Sequence, residues 1–380
     1  MSIRRLVLSG ALVGAAVLPS SQQASAESPA DYYDLGGFHY PVETRSEAAQ
    51  QWFDRGLAMC HGFNHEEGVR CFEKALAADP GMAMAYWGLA YAWSPNINNM
   101  EVAPTQRAKS ELALRLASLH AEEGKLEQAL IEAAKRRCRT TDASTDVEQN
   151  EDYAQAMRVV YREFPGDPLV AALFAEALMN LQPWQHWTPD GTPGPHTREI
   201  LAVLEAGMEH APAYPALCHF YIHAQEASPD PRAALPAANR LRDAMPGQGH
   251  LLHMPSHIDI WLGDYDAVIR ANQRAIAADA QFLDREGADN FYTFYRIHNY
   301  HFLVYGAMFD GQSRLALETA LALKEQVPEA LLRSQVDLLD AFMPTDLHVL
   351  VRFGRWEEIL QQPEPAAYLP VSRAIWHYAR

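Results

Sequence analysis

Residues 49–80 read AQQWFDRGLAMCHGFNHEEGVRCFEKALAADP, and this stretch decides the fold. Counted from its first residue, it has Trp52 at position 4, Gly56 at position 8, Phe72 at position 24 and Pro80 at position 32. The small residue at position 8 lets the two helices of a pair approach closely, and the aromatic side chains fill the space beside it. The proline ends the second helix because it cannot donate the next backbone hydrogen bond. The stretch therefore predicts a helical hairpin.

Similar hairpins recur along the chain with a period of about 34 residues. Helical periodicity begins near Ser46, and no convincing alternation of polar and apolar residues indicates a strand. The spacing of Trp, Gly, Phe and Pro resembles that of the tetratricopeptide repeat (TPR). This resemblance implies an all-α TPR solenoid, a right-handed superhelix of helical hairpins, over residues 45–380. The prolines that close successive units are Pro80, Pro168, Pro212, Pro246 and Pro328.

The first 26 residues have the features of a signal peptide. Paired arginines precede an apolar run at residues 6–18, and Ala24-Ser25-Ala26 is a small-x-small cleavage signal. The run is too short to span a bilayer as a permanent helix. We therefore predict cleavage after residues 1–26 and an exported, periplasmic or secreted protein. The arginines fit a twin-arginine signal and an ordinary secretory signal about equally well. An irregular arm is predicted for residues 27–44.

The composition of the chain limits its partners. The 48 acidic residues outnumber the 31 basic ones, for a net charge of −17, so nucleic acid and anionic membrane surfaces are poor partners. No stretch after the signal peptide predicts a membrane span. Four cysteines without CxxC spacing indicate neither a zinc ribbon nor a dithiol motif. A bridge between Cys60 and Cys71 would suit an exported protein, but free buried thiols are the preferred interpretation.

Two insertions and an incomplete end interrupt the repeats. The insertion near residues 182–196 contains Pro183-Trp184 and a second tryptophan, and such long loops often act as lids, although a cover for exposed core is equally consistent. The insertion near residues 280–296 is rich in aromatic residues. The last helix, residues 372–380, has no following partner helix in the sequence. The array is therefore expected either to continue or to be closed by a protein partner or a second copy of the chain.

The second half of the chain carries histidines at helical spacing. Residues three and four apart share one face of a helix, so each group of such residues predicts one polar stripe. One group is His219, His223 and Glu226, and the other is His250, His253 and His257. Counting back from the closing prolines places both groups at positions 2, 5, 9 and 12 of first helices, and His298 and His301 at positions 2 and 5 of a later one. These positions line the concave groove in TPR arrays, so we predict one shared inner wall.

This wall predicts a transition-metal site. Imidazole is the commonest protein ligand for zinc, copper and iron. Three imidazoles, or two and a carboxylate, leave one coordination position open for water or substrate. Facing helices pack about 8–10 Å apart, so their imidazoles can share an ion. We expect direct ligands at His219, His223, His253 and His257. Glu226 is predicted to be a further ligand or the catalytic proton acceptor, and His250, His298 and His301 complete the wall.

Pro255 complicates this assignment. It disfavours helix just before it, so His250 and His253 are expected on a loop that enters the helix rather than on the helix face. Cys218 precedes the first histidine but falls at a packing position. Aromatic residues near the wall are candidates for substrate stacking, although core packing is their commoner role: Tyr221, Trp261, Tyr292 and Tyr295.

The sequence supports more than one function. A metal site with an open position suits an enzyme that acts by oxidation or hydrolysis on a small molecule or peptide. The alternative is a metal-free scaffold that binds a peptide in its groove, the usual role of such repeats. A third reading is pH-dependent ligand binding through titrating histidines. The sequence alone does not decide whether the chain is an enzyme.

Several motifs resemble one family closely. They are Gly62-Phe63-Asn64-His65-Glu66-Glu67, Ala83-Met84-Ala85-Tyr86-Trp87-Gly88, Pro183-Trp184, Tyr221-Ile222-His223-Ala224-Gln225-Glu226-Ala227-Ser228, Gly249-His250-Leu251-Leu252-His253-Met254-Pro255-Ser256-His257-Ile258 and His298-Asn299-Tyr300-His301-Phe302. Together they resemble the histidine-rich bacterial TPR proteins, most of which have no assigned function, from about Gln51 onward. The resemblance implies an all-helical solenoid and supplies no reaction. Cys218 departs from the family pattern, in which asparagine is expected before the first histidine.

Overall fold

The computed structural model describes residues 28–29, 32–140 and 144–380. The predicted signal peptide therefore lies outside the described residues. Contacts separate Met1–Tyr32 from Tyr33–Arg380, and the second unit is described below. Its described residues form α-helices and no β-strand. The helices are α1 (Glu47–His61), α2 (His65–Ala78), α3 (Ala83–Ala92), α4 (Pro104–His120), α5 (Leu126–Ala134), α6 (Asp146–Glu163), α7 (Pro168–Met179), α8 (Thr197–His210), α9 (Pro215–Gln225), α10 (Leu235–Leu241), α11 (Gly249–His253), α12 (Ser256–Leu262), α13 (Tyr265–Glu286), α14 (Thr293–Phe309), α15 (Ser313–Glu325), α16 (Glu329–Ser334), α17 (Val336–Leu339), α18 (Thr345–Arg352), α19 (Trp356–Gln361) and α20 (Pro370–Ala379).

The first hairpin forms as its spacing predicts. Ser46 caps α1 by accepting a hydrogen bond from the backbone N–H of Ala49, which satisfies one of the free donors at the helix start. The ring of Phe72 on α2 lies between Gly56 on α1 and Gly88 on α3. A β-carbon would lie 2.7 Å from this ring at Gly56 and 2.6 Å from it at Gly88. The glycines therefore allow three consecutive helices to pack around one buried ring.

Most helices pack against their neighbours in sequence. Helix α1 packs on α2 and α2 on α3, and the same holds for the pairs α3 and α4, α6 and α7, α7 and α8, α13 and α14, and α14 and α15. Such a one-dimensional order of contacts is typical of helical repeat proteins. The predicted fold class, an all-α solenoid of the TPR type, is confirmed.

The first hairpin also contacts repeats far along the chain. Helix α1 packs on α9, and the carbonyl of His61 at its end accepts a hydrogen bond from the His219 ring at 2.6 Å. A β-carbon on Gly62 would lie 2.2 Å from the amide nitrogen of Gln248, so this turn is pressed against the residue before α11. Farther along, Asn98 donates a hydrogen bond to the Tyr295 hydroxyl of α14 at 3.2 Å. The turn between α1 and α2 is thus held against the histidine-bearing helices.

Pro255 separates α11 from α12 without moving the histidines off the helical face. The backbone stays right-handed at Met254 (φ −51°, ψ −39°) and at Pro255 (φ −55°, ψ −29°). The N–H of Asp259 still bonds the Pro255 carbonyl at 3.1 Å. His250 and His253 therefore lie on a short helix and not on the loop expected from the proline.

The two predicted insertions differ in structure. The segment between α7 and α8 is a loop, and the indole N–H of Trp187 ties it to the carbonyl of Ala224 in α9 at 2.7 Å. Within the loop, Gln182 donates a hydrogen bond to Thr197 at 2.9 Å. The segment at residues 280–296 consists of the end of α13, a short turn and the start of α14.

All four cysteines are buried and none forms a disulfide, so Cys60 and Cys71 are not bridged. Within the described ranges, no helix combines the length and the apolar character that crossing a bilayer needs. At the end of the chain, α20 packs on α18, and the Ser372 side chain is buried against Asp340. Tyr378 on the same helix is 77% exposed, so one side of α20 faces outward.

A candidate metal centre of two histidine triads

Two groups of three histidines have their ring nitrogens close enough to hold an ion. Within each group these nitrogens lie within 4.8 Å of one another. The helices that contribute are α9, α11, α12 and α14, as the repeat register predicts. The first triad is His219, His223 and His250, and the second triad is His253, His257 and His298. The triads therefore differ from the predicted stripes. His250 groups with the two α9 histidines, whereas His253 and His257 group with His298 on α14.

In the first triad, backbone contacts fix which nitrogen of His219 carries the hydrogen. Its Nδ1 lies 2.6 Å from the carbonyl oxygen of His61, and a carbonyl can only accept. Nδ1 is therefore protonated, and the Nε2 of the neutral ring carries a bare lone pair. This Nε2 lies 3.1 Å from the Nε2 of His250.

The Nδ1 atoms of the second triad are also fixed as donors. His253 Nδ1 lies 2.7 Å from the Oδ1 of Asn272. The orientation of that amide is set by its own N–H, which donates to the Val268 carbonyl at 2.8 Å. His257 Nδ1 bonds the carboxylate of Glu226. Both rings therefore turn Nε2 toward the triad, and the two Nε2 atoms lie only 2.7 Å apart.

Glu226 connects the two triads. One carboxylate oxygen accepts from His223 Nδ1 at 2.7 Å, and the other accepts from His257 Nδ1. Burial would raise the pKa of this carboxyl, but the charges and hydrogen bonds of His257 and His223 outweigh burial and hold the pKa well below its usual range. Glu226 is therefore ionised and occupied on both oxygens. In this geometry both oxygens orient imidazoles, and the two predicted roles of Glu226, metal ligand or catalytic proton acceptor, stay predictions.

Four of the six imidazoles are held neutral. Burial lowers the pKa of His219, His250 and His253 well below the usual value, and neighbouring histidines lower it further. Burial also lowers the pKa of His298 to about 3. The Nε2 of His223 is buried and has no hydrogen-bond partner. Neutral imidazole is the form that binds a metal, so these rings are ready to act as ligands.

Aromatic residues enclose the triads. Among the described residues, the non-glycine residues with positive φ are Phe63 (φ 59°) and Trp184 (φ 60°). Both contact the same ring: Phe63 lies 5.9 Å and Trp184 5.4 Å from His223, centroid to centroid. Bulky residues rarely adopt this backbone conformation, and such strain clusters at functional sites. In the second triad, Phe302 stacks on His257 at 4.7 Å.

A cavity of about 440 Å³ lies beyond Phe63. Its walls include Phe63 and Tyr292, and polar side chains such as Asn64 and Glu66 also line it. The Tyr292 hydroxyl also accepts a hydrogen bond from the backbone N–H of His250 at 3.2 Å. The cavity is therefore separated from the first triad by the ring of Phe63, and its volume is in the range of small-molecule sites.

The remaining predicted residues lie outside the triads. The ring of His301 lies 5.4 Å from that of Phe342. Burial lowers the pKa of His301, and the nearby His348 lowers it further. Of the aromatic candidates, Tyr295 contacts His250 at 4.9 Å, whereas Trp261 is 66% exposed. Tyr221 bonds the Glu205 carboxylate.

Sequence reasoning missed three partners of the histidines. They are the His61 carbonyl, the Asn272 amide and the Phe63 ring. None carries a motif for such a role in the sequence, because each reaches the site through packing between distant repeats. Phe63 alone gave a signal of another kind, since it lies in the Gly62–Glu67 motif on which the family resemblance was based.

No protein-family model matches the chain, and no curated protein matches it in sequence. Similar solved structures include a human IFIT1 dimer with PPP-AAAA, at 15% identity and a TM-score of 0.43, over 83% of this chain and 71% of that one. Another is a human IFIT1 dimer with m7Gppp-AAAA, at 11% identity and a TM-score of 0.40, over 89% of this chain and 77% of that one. At these values the likeness supports no inference about ligand or function.

Proposed function

We propose that the chain is an exported member of the histidine-rich bacterial TPR proteins and holds a transition-metal centre in its two triads. We further propose that it acts as a metal-dependent enzyme on a small molecule or peptide. The pattern of residues 1–26 supports export, and the shared motifs support the family.

One observation is the main support for a bound metal ion. The Nε2 atoms of His253 and His257 lie 2.7 Å apart, and Asn272 and Glu226 accept the Nδ1 hydrogens, which leaves each Nε2 as the nitrogen available to a metal. Two lone pairs at this distance repel unless a proton or a metal ion lies between them. Two imidazoles bound to one ion at about 2.0 Å, with bond angles of roughly 90–109°, have nitrogens about 2.8–3.3 Å apart. The observed spacing is close to that range.

The partners of the rings also suit a metal. Histidine ligands commonly donate the other ring N–H to a carboxylate or a carbonyl, which orients the ring and raises its basicity. Here Glu226, Asn272 and the His61 carbonyl take that role. Copper, zinc and iron all accept imidazole, and three such ligands leave an open position.

The neighbouring residues support an enzyme rather than a purely structural site. A bound ion with an open position would supply Lewis-acid or redox chemistry. Glu226 orients two rings by accepting a hydrogen bond from the Nδ1 of each. Phe63 and Trp184 contact the buried His223 ring, and the 440 Å³ cavity offers room for a substrate.

Elemental analysis tests the metal. The mature protein, prepared without an affinity tag and reconstituted with copper, zinc or iron, should retain at least about one equivalent of one of them after gel filtration. His253→Gln and His257→Gln should each reduce this content. His120→Gln is the matched control, because that ring stacks on Tyr86 at 5.9 Å, far from the triads in the repeat order.

A content below about 0.1 equivalent of every metal after reconstitution would contradict the proposal. That outcome would favour the metal-free scaffold. Its ligand would then be sought on the exposed aromatic residues of α12 and α14, Trp261, Tyr305 and Phe309.

A further inference from the structure

We infer that the centre binds two copper(I) ions, one in each triad, with Glu226 as the positioning residue that links them. This inference rests on the proposed metal centre and adds the number and charge of its ions.

The two triads are separate ligand sets. Each has three histidines whose nitrogens lie within 4.8 Å, and no histidine belongs to both. Six imidazoles exceed the needs of one ion of four ligands. The rings nearest each other across the boundary are His250 with His253 at 5.8 Å and His223 with His257 at 6.0 Å. Two ions can therefore be close neighbours without sharing a ligand.

Glu226 holds one ring of each triad. It accepts the Nδ1 hydrogen of His223 on one oxygen and that of His257 on the other. A glutamine could accept from only one of these rings, because its amide group is a donor. The other ring would be free to turn or to change tautomer, and its Nε2 would no longer be held as a ligand.

The charge of the site selects the ion. Imidazole binds a metal in its neutral form, so six ligand rings would add no charge to the site. Their hydrogen-bond partners are one carboxylate, one amide and one carbonyl. Two dications would bring four positive charges against the single negative charge of Glu226, whereas two monocations bring two. The repulsion scales with the product of the charges, so it is about four times larger for two dications than for two monocations at the same separation. Among the ions that accept imidazole, copper has the common monovalent state.

The test is a titration of the apoprotein under anaerobic conditions. Copper(I) is added in competition with bicinchoninate, and zinc(II) is added in a parallel series. We expect about two equivalents of tightly bound copper(I) and about one of zinc(II). His219→Gln should remove one copper(I) and His298→Gln should remove the other. Glu226→Gln should retain one and weaken the second about 10–100-fold.

Glu205→Gln is the matched control for the lost charge, since Glu205 bonds the Tyr221 hydroxyl and belongs to neither triad. Circular dichroism identifies any variant that does not fold. If a triad variant fails to fold, His250→Gln or His257→Gln takes its place. Dipolar coupling between two ions after oxidation to copper(II), measured by electron paramagnetic resonance, gives a second readout.

The outcomes separate the two proposals. Binding of a single copper(I), or equally tight binding of two zinc(II) ions, would overturn the two-copper inference and leave the metal centre intact. Loss of the same ion in His219→Gln and His298→Gln would also overturn it. The absence of any bound metal would instead overturn the proposed function.

Discussion

At the residue scale, the centre depends on groups that hold the rings rather than on the rings alone. Asn272 is buried, and its amide has three partners: the Val268 carbonyl, Ser256 and His253. The first two contacts orient the amide, and the third then fixes the tautomer of the ring. A residue without any ligand atom for the ion thus determines which nitrogen faces it.

Asn272→Ala should weaken metal binding about 10–100-fold, because His253 could then carry its hydrogen on Nε2. The variant should also lose about 1–3 kcal/mol of unfolding free energy, since it leaves buried partners unpaired. Competition with a chelator and chemical denaturation measure the two effects. Asn239→Ala on α10 is the control, as its side chain bonds Arg242 at the surface. Unchanged metal affinity in Asn272→Ala would show that the tautomer is fixed in another way.

Glu176 shows what burial does to a carboxyl outside the triads. It is buried in α7, and burial, opposed by the nearby Arg137, raises its pKa to about 7. A carboxyl whose pKa is raised in the folded state contributes stability below its unfolded pKa of about 4.5, and this contribution is lost as the pH rises through about 7.

Relative to the natural chain, Glu176→Gln should therefore have a higher unfolding free energy at pH 8 than at pH 5, by up to about 3 kcal/mol. The measurement is the difference in Tm between the two proteins from pH 5 to pH 8. This difference reports on Glu176, because the histidines are the same in both proteins. A difference that does not change with pH would mean that Glu176 keeps an ordinary pKa in the folded state.

At the scale of elements, the loop between α7 and α8 is anchored to the end of α9. The indole of Trp187 donates to the carbonyl of Ala224, two residues before Glu226. The loop also carries Trp184, whose ring contacts His223 edge-on. Because one hydrogen bond joins the loop to the helix that supplies two ligands, movement of the loop should change access to the first triad.

Trp187→Phe should release bound metal to a chelator several-fold faster and lower the unfolding free energy by about 1 kcal/mol, since it removes the indole donor together with part of the ring. Trp356→Phe is a suitable control, because Trp356 is 57% exposed and begins α19. Release rates are followed by the absorbance of the chelator complex. Equal rates in the natural chain and in Trp187→Phe would assign the loop a covering role only.

The helices also show which parts of the fold and the site could be predicted from spacing in the sequence. Spacing within one repeat predicted the first hairpin and the placement of the histidines on α9, α11, α12 and α14, because it depends on local helical geometry. It did not predict that His250 would leave the stripe of His253. It also overestimated the effect of Pro255, since the backbone there remains helical despite the missing donor. Which repeats meet depends on packing over long sequence separations, and no local spacing records that.

At the scale of the whole unit, the histidine helices are joined to each other and to the first hairpin. The His61 carbonyl at the end of α1 and the turn at Gly62 contact residues more than 150 positions later, His219 and Gln248. An open repeat array has contacts only between neighbours and gains stability unit by unit. Here contacts between distant repeats add to that order, and a metal bound by α9, α11, α12 and α14 would add another link between them.

Metal loading should therefore raise the Tm of the protein. An ion present at about 100 times its dissociation constant stabilises the folded state by about 2.7 kcal/mol, which corresponds to a few degrees for a chain of this size. Calorimetry of apo and loaded protein measures the shift. A double variant, His253→Gln with His257→Gln, should show a smaller one. A loaded protein with the same Tm as the apoprotein would mean that the ion binds the unfolded chain as well or does not bind at all.

The left-handed backbone at Phe63 and Trp184 has a consequence for natural and laboratory selection. Each position costs about 1–2 kcal/mol relative to a residue that tolerates this conformation, such as glycine or asparagine. A library randomised at both sites and sorted for heat resistance alone should drift toward those small residues. The same library sorted for retained metal should keep the two rings, and the contrast between the pools would record what each ring contributes to the imidazole it touches.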